Sequence, residues 1–108
     1  MGDLGIKEMQ EMQRRLQEKY FEKWGGLSPK KAREMLLWMI AEAGEAADVI
    51  KQSGDGEIMK SGETREHFIE EMCDVMMYFN DILLCYGIKP EEFRKIYLEK
   101  HERNMSRW

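Results

Sequence analysis

The sequence predicts an all-α protein in which residues 1–108 form a single domain, a bundle of four helices. Apolar residues recur at steps of three and four along most of the chain, which is the period of an amphipathic helix. No stretch of strand length alternates apolar and polar residues. Glycine and proline gather at a few points, so they divide the chain into segments of helical length.

The first predicted helix covers residues 4–24. Met9, Tyr20 and Trp24 belong to an apolar stripe along it, between charged residues. The pair Gly25-Gly26 ends it, because consecutive glycines disfavour a continuing helix.

The second predicted helix covers residues 29–52. Ser28 is placed to be its N-cap and Pro29 its first residue, and no further breaker occurs before Gly54. Its apolar residues cover more than one stripe, so it should contact neighbours on several sides.

The sequence after the second helix predicts a long loop and two more helices. Residues 53–63 are glycine-rich and lack periodicity, which predicts the loop. Thr64 is the predicted N-cap of the third helix, which Gly87 closes, and Pro90 opens the fourth. The predicted inner face of the fourth helix consists of Phe93, Ile96 and Tyr97.

Composition excludes some classes of partner. The net charge of −4 and a pI near 5.3 argue against a surface that follows long nucleic acid. The sequence has no apolar run long enough for a membrane span, and its N-terminus lacks the apolar core of a signal peptide. We therefore expect no membrane partner and a cytoplasmic location.

The two cysteines, Cys73 and Cys85, lie on the third predicted helix. Twelve residues of helix separate them by about 18 Å, which is too far for a disulfide. We expect both to be small core residues.

Two pairs of carboxylates are the strongest functional signal. Glu42 and Glu45 are three residues apart on the second helix, and Glu71 and Asp74 repeat this spacing on the third. Each pair projects from one helical face, so four carboxylates would converge if the helices pack together.

All-oxygen ligands favour a hard cation, and Mg²⁺ or Mn²⁺ is the expected cofactor. Neither His67 nor His101 follows a candidate glutamate by three residues, which disfavours a di-iron site. Mg²⁺ is usually shared with substrate phosphates, so the pattern indicates phosphate-ester or phosphoanhydride chemistry. Three alternatives remain open: solvated helix faces, a metal-binding protein without chemistry, and a non-catalytic helical homo-oligomer that binds a protein partner.

The order of these motifs resembles that of the MazG-like all-α nucleoside triphosphate pyrophosphohydrolases, a family that includes dimeric dUTPases and dCTPase-like enzymes. The family pattern is ExxE, a variable spacer and ExxD. Here AEAGEAADVIK (residues 41–51) resembles the first motif helix and EEMCDVMMYFNDIL (residues 70–83) the second. Relatives often continue with a lysine, an asparagine four residues later and a basic residue three further on. The matching residues are Lys100, Asn104 and Arg107. The resemblance covers residues 28–108.

The resemblance implies hydrolysis of a nucleoside triphosphate between the α- and β-phosphates, which gives the monophosphate and pyrophosphate. The implied substrates are dNTPs or non-standard NTPs, and long nucleic acid is not an expected partner. One of two residues, Glu42 or Glu45, would orient the attacking water or accept its proton. The implied metal ligands are Glu42, Glu45, Glu71 and Asp74, and the implied phosphate-binding residues are Lys100, Asn104 and Arg107.

Four further residues are candidates for a base pocket: Trp24, Trp38, Tyr78 and Asp81. The three aromatic side chains could stack on a base, although aromatic residues at helical spacing more often belong to the core. Asp81 lies seven residues after Asp74 and therefore shares its helical face. A chain this small with four inward charges should assemble, so we expect a homodimer or homotetramer.

Overall fold

The computed structural model describes residues 2–108, and within this range the secondary structure is entirely helical. The all-α prediction is therefore confirmed. The predicted count of four is wrong, because two short helices accompany the four long ones. In chain order they are α1 (Ile6–Lys19), α2 (Phe21–Trp24), α3 (Pro29–Ser53), α4 (Asp55–Met59), α5 (Glu63–Cys85) and α6 (Pro90–Arg107).

The first predicted helix is divided at Tyr20. Its backbone, at φ −108° and ψ 26°, leaves the α region, and α2 begins at the next residue. At the end of α2, Gly25 and Gly26 have φ of 80° and 77°, which favours glycine. The ring of Phe21 also lies where a Cβ on Gly26 would be, at 2.8 Å. The glycine pair thus allows the turn and the close approach of Phe21.

α3 begins as predicted. Ser28 occupies the N-cap position with extended backbone and Pro29 is the first helical residue, although the serine side chain forms no capping hydrogen bond. The helix ends at Ser53, one residue beyond the predicted end.

The predicted loop over residues 53–63 is wrong in part, because it contains α4. Gly54 and Gly62, with φ of 83° and 142°, provide the turns on either side of this helix. Gly62 rather than Thr64 is the N-cap of α5, so the predicted cap lies within the helix. With a sharp turn available at glycine, the helix begins before the threonine.

α3 and α5 form the main packed pair, with α1 against α5 and α4 beside both. A small core joins them, formed by Ala32, Met35 and Cys85. Cys85 is buried as predicted, whereas Cys73 is exposed and the prediction for it is wrong. Twelve residues of helix rotate a side chain by about 120° beyond whole turns, so the two cysteines face different directions.

α6 packs against the other helices only near its N-terminus, where Phe93 meets Phe79 with ring centroids 5.3 Å apart. The predicted inner face of this helix is therefore largely wrong for a single chain: Ile96 is 61% exposed and Tyr97 is 63% exposed. No other helix of the described chain covers the side chains of Ile96 and Tyr97, because α6 contacts the other helices only near its N-terminus.

Within residues 2–108, no helix has both the length and the apolar character needed to cross a membrane.

Candidate metal centre and adjoining cavity

Three carboxylates from two helices converge. Glu42 and Glu45 of α3 and Glu71 of α5 each place an oxygen atom within 4.8 Å of the other two. The residues that surround Glu71 show why, since the C-terminal half of α3 lies beside the N-terminal half of α5, as in an antiparallel pair. The spacing of three puts both α3 glutamates on the face that meets α5.

The group is anionic and incompletely hydrogen-bonded. The Oε2 atoms of Glu42 and Glu71 are buried and have no hydrogen-bond partner. The Nε2 atom of His67 lies 3.7 Å from Glu71 Oε1, and among the described residues no lysine or arginine forms an ion pair with the group. Buried carboxylate oxygens without partners are costly unless a cation joins them. An all-oxygen set with orphaned atoms fits a hard divalent cation.

The proximity of the carboxylates raises the pKa of Glu71 from 4.5 to about 7. The main cause is hydrogen bonding to Glu42, which favours the protonated form, followed by burial and by the neighbouring charge of Glu45. Without a metal, one proton is therefore retained in the group near neutral pH.

This retained proton predicts a pH dependence of stability. The unfolded chain releases the Glu71 proton near pH 4.5 and the folded protein near pH 7, so stability falls as the pH rises from about 4.5 to about 7 and levels off above it. Thermal melts in EDTA should give a melting temperature that falls between about pH 5 and about pH 7 and then changes little up to about pH 8. The titratable groups around Glu71 are Glu42, Glu45, Asp48, Glu63 and His67.

Glu71→Gln removes the titrating group and should flatten this fall. Burial raises the pKa of Asp81 to about 6, so its titration also lowers stability as the pH rises, but mostly at lower pH. A melting temperature of the wild-type protein that stays level or rises between about pH 5 and about pH 7 would contradict the prediction.

Asp74 is not part of the close group, so the predicted convergence of four carboxylates is incomplete. Its side chain lines a cavity beside the group, and Glu42 lines the same cavity. Together with burial, the charges of Glu42, Asp74 and Asp81 raise the pKa of Tyr78. Three residues of helix displace Asp74 from Glu71 by about 4.5 Å along α5 and about 60° around it. Glu42 thus borders both the carboxylate group and the cavity.

The cavity has a volume of about 580 Å³ and lies between α1, α2, α3 and α5. All four residues that the sequence suggested for a base pocket line it: Trp24, Trp38, Tyr78 and Asp81. The rings of Trp38 and Tyr78 meet edge to face, with centroids 5.9 Å apart. Aromatic and acidic side chains therefore share the lining of this cavity.

Sequence reasoning missed the contribution of α1 to this cavity. Gln13 and Gln17 line it and are 6% and 8% exposed. Gln13 Nε2 donates a hydrogen bond of 2.9 Å to Asp81 Oδ1, and Asp81 is only 3% exposed. The signal was a stripe of glutamines at helical spacing, Gln10, Gln13 and Gln17, beside the apolar stripe of this helix. Lys23 and Lys31 also line the cavity and were missed.

Lys100, Asn104 and Arg107 are not brought to the carboxylates within one chain. They lie in the C-terminal half of α6, and no α6 residue lines the cavity beside Asp74 or the hollow around Glu45 and Glu71. Lys100 and Arg107 are exposed, and the guanidinium of Arg107 lies over the ring of Trp108. The side-chain oxygen of Asn104 is buried without a hydrogen-bond partner.

A second large cavity is apolar. Its volume is about 830 Å³, and it lies between the start of α1, the middle of α5 and the first half of α6, with Met39 of α3 also in its lining. Its apolar lining includes Met72, Met76 and Phe79 of α5 and Tyr97 of α6.

Comparison of the chain with protein-family models, with curated proteins and with solved structures yields no match.

Proposed function

We propose that this protein is a metal-dependent nucleoside triphosphate pyrophosphohydrolase, which releases the monophosphate and pyrophosphate. The observation that carries the proposal is that a group of three carboxylates adjoins an aromatic cavity of nucleoside size, with Glu42 at the border of both. A phosphate chain at the carboxylates and a base in the cavity would occupy the two parts together. The resemblance of the motif order to the MazG-like enzymes supports cleavage between the α- and β-phosphates.

Glu42, Glu45 and Glu71 would hold the metal, with Asp74 available from the cavity side. Bound Mg²⁺ or Mn²⁺ would neutralise the triphosphate and lower the pKa of the attacking water. Glu42 or Glu45 would orient the attacking water or accept its proton.

The length of the cavity suits a nucleoside. Asp74 and Asp81 both line it, and they are two turns apart on α5, about 10 Å along the helix. The indole of Trp38 and the phenol of Tyr78 line the wall between them and offer apolar surface to a base. The phosphates then face Asp74 and Glu42, and the outer edge of the base faces Asp81.

The proposed enzyme is a homodimer or homotetramer with a MazG-type bundle, because a single chain leaves too much surface exposed. Its accessible surface is 8678 Å², whereas a folded monomer of this mass exposes about 6,300 Å². Its radius of gyration is 16.2 Å, against about 13 Å for a compact domain of this length. The excess of roughly 2,400 Å² per chain is what an obligate dimer buries.

A second copy of this chain is the proposed occupant of the apolar cavity beside α6. Tyr97 and Leu98 of α6 line this cavity and are 63% and 45% exposed. Assembly would cover this face and would fix α6, which its own chain holds only near the N-terminus. Lys100, Asn104 and Arg107 would then reach the triphosphate from the second copy, as phosphate-binding residues.

The proposed function predicts release of pyrophosphate from at least one common ribo- or deoxyribonucleoside triphosphate in the presence of Mg²⁺. A colorimetric phosphate assay detects it, and the signal should require added inorganic pyrophosphatase. Phosphate release without pyrophosphatase would indicate cleavage of the terminal phosphate instead. No turnover of any nucleotide by folded, Mg²⁺-loaded protein would leave only the non-catalytic alternatives.

A further inference from the structure

The inner end of the aromatic cavity is polar and built from two helices. Gln13 and Gln17 of α1 and Asp81 of α5 line it, and each is more than nine-tenths buried. Because water is largely excluded there, hydrogen bonds made or missed by a ligand at this end have a large effect on affinity.

The unused hydrogen-bonding groups at this end are mainly acceptors. Gln13 Nε2 already donates a hydrogen bond to Asp81 Oδ1. Asp81 Oδ2 receives no hydrogen bond from any residue in the described part of the chain, and Gln17 Oε1 is buried without a partner. An ionised carboxylate can only accept, and a pKa raised to about 6 leaves Asp81 mostly ionised above neutral pH.

Such an end matches some bases better than others. Cytosine, adenine and guanine carry an exocyclic amino group, which can donate two hydrogen bonds. Uracil and thymine carry a single ring N–H between two carbonyl oxygens. If one acceptor of the cavity bound this N–H, a second acceptor beside it would therefore face a carbonyl oxygen of the base. Both of these oxygen atoms can only accept hydrogen bonds, so they would repel each other in a buried place.

We propose that this cavity selects nucleotides whose base carries an exocyclic amino group, and that Asp81 is the residue that discriminates them from uracil and thymine nucleotides. This inference rests on the proposed function, because it takes the cavity to be the base site. It goes beyond that function by naming the substrate class and the specificity-determining residue.

The test is equilibrium binding of non-hydrolysable nucleotides, so that it does not depend on turnover. The probes are the α,β-imido analogues of dCTP and dUTP with Mg²⁺ at about pH 7.5, measured by titration calorimetry. These two probes differ only at the 3- and 4-positions of the base. We expect the cytosine analogue to bind at least about tenfold more tightly, which is the scale of one hydrogen bond to a charged group.

Asp81→Asn keeps the shape of the side chain but replaces one acceptor oxygen with a donor amide. The amide can donate to a carbonyl oxygen of uracil, so the ratio of the two affinities should shift toward the uracil analogue by about tenfold or more. Asp55→Asn, the same substitution at an exposed position on α4, should leave the ratio unchanged. A purely structural contact between α1 and α5 would alter both affinities together and leave their ratio unchanged.

Equal affinity of the wild-type protein for the two analogues would overturn the inference, whether or not the Asp81 variant folds. An unchanged ratio in folded Asp81→Asn would overturn the role of Asp81. If neither analogue binds, the cavity is not a base site and the inference fails. In each case the phosphate-release assay decides separately whether the proposed function stands.

Discussion

Glu42→Gln will lower kcat by at least about a hundredfold, yet it will leave the metal-free protein as stable as wild type or slightly more stable. Loss of a charged group that stabilises the transition state typically costs this much in rate. The stability should not suffer, because Glu42 is the main cause of the raised pKa of Glu71. A neutral amide at this position removes one like charge and can donate a hydrogen bond to the neighbouring carboxylate.

Thermal melts with EDTA and with Mg²⁺ separate this account from a structural one. We expect Glu42→Gln to match or exceed the wild-type melting temperature in EDTA and to gain less from Mg²⁺. Glu11→Gln, at an exposed position on α1 outside every cavity described above, is the matched control and should behave as wild type. A lower melting temperature in EDTA together with full stabilisation by Mg²⁺ would refute the metal-site assignment.

Tyr97→Glu will dissociate the proposed oligomer and lower the activity at least about tenfold. In the single chain this side chain is 63% exposed, so a charge there costs the isolated fold little. In the proposed interface the same charge would be buried against the apolar cavity without a partner, which is strongly unfavourable. Activity should fall with dissociation, because Lys100, Asn104 and Arg107 would no longer reach the neighbouring carboxylates.

Light scattering coupled to size-exclusion chromatography measures the mass of the wild-type and variant proteins. Met59→Glu is the control, since Met59 is 76% exposed on α4 and does not line the apolar cavity. It should keep the wild-type mass. A wild-type protein that is monomeric at micromolar concentration, or a Tyr97→Glu variant that stays assembled and active, would contradict the proposed interface.

The meeting of Glu42, Glu45 and Glu71 could be predicted from spacing alone. Residues three apart share a helical face, and two long helices joined by a single connection pack side by side. The position of Asp74 outside this group could not be predicted, because it depends on the rotation of α5 about its own axis. Packing against α1 and α3 sets this rotation. The periodic pattern of apolar residues does not reveal an error of about 60° in the predicted direction of a side chain.

The missed features depend on tertiary contacts or on polar residues in buried places. Gln13 and Gln17 belong to a residue type that is usually exposed, and they are buried here because they line the cavity, where Gln13 also binds Asp81. The helix α4 is only five residues long, so its formation depends on its neighbours more than on its own propensity. The break at Tyr20 likewise follows no local breaker.

The most direct test of the central claim is the identity of the products, measured by ³¹P nuclear magnetic resonance during turnover of a deoxyribonucleoside triphosphate with Mg²⁺. The proposed function predicts that the signals of the nucleoside monophosphate and pyrophosphate will grow together in equal amounts. It also predicts that the Glu42→Gln variant will not form these products at a comparable rate. Formation of the diphosphate and orthophosphate, or equal rates for the wild-type and Glu42→Gln proteins, would contradict it.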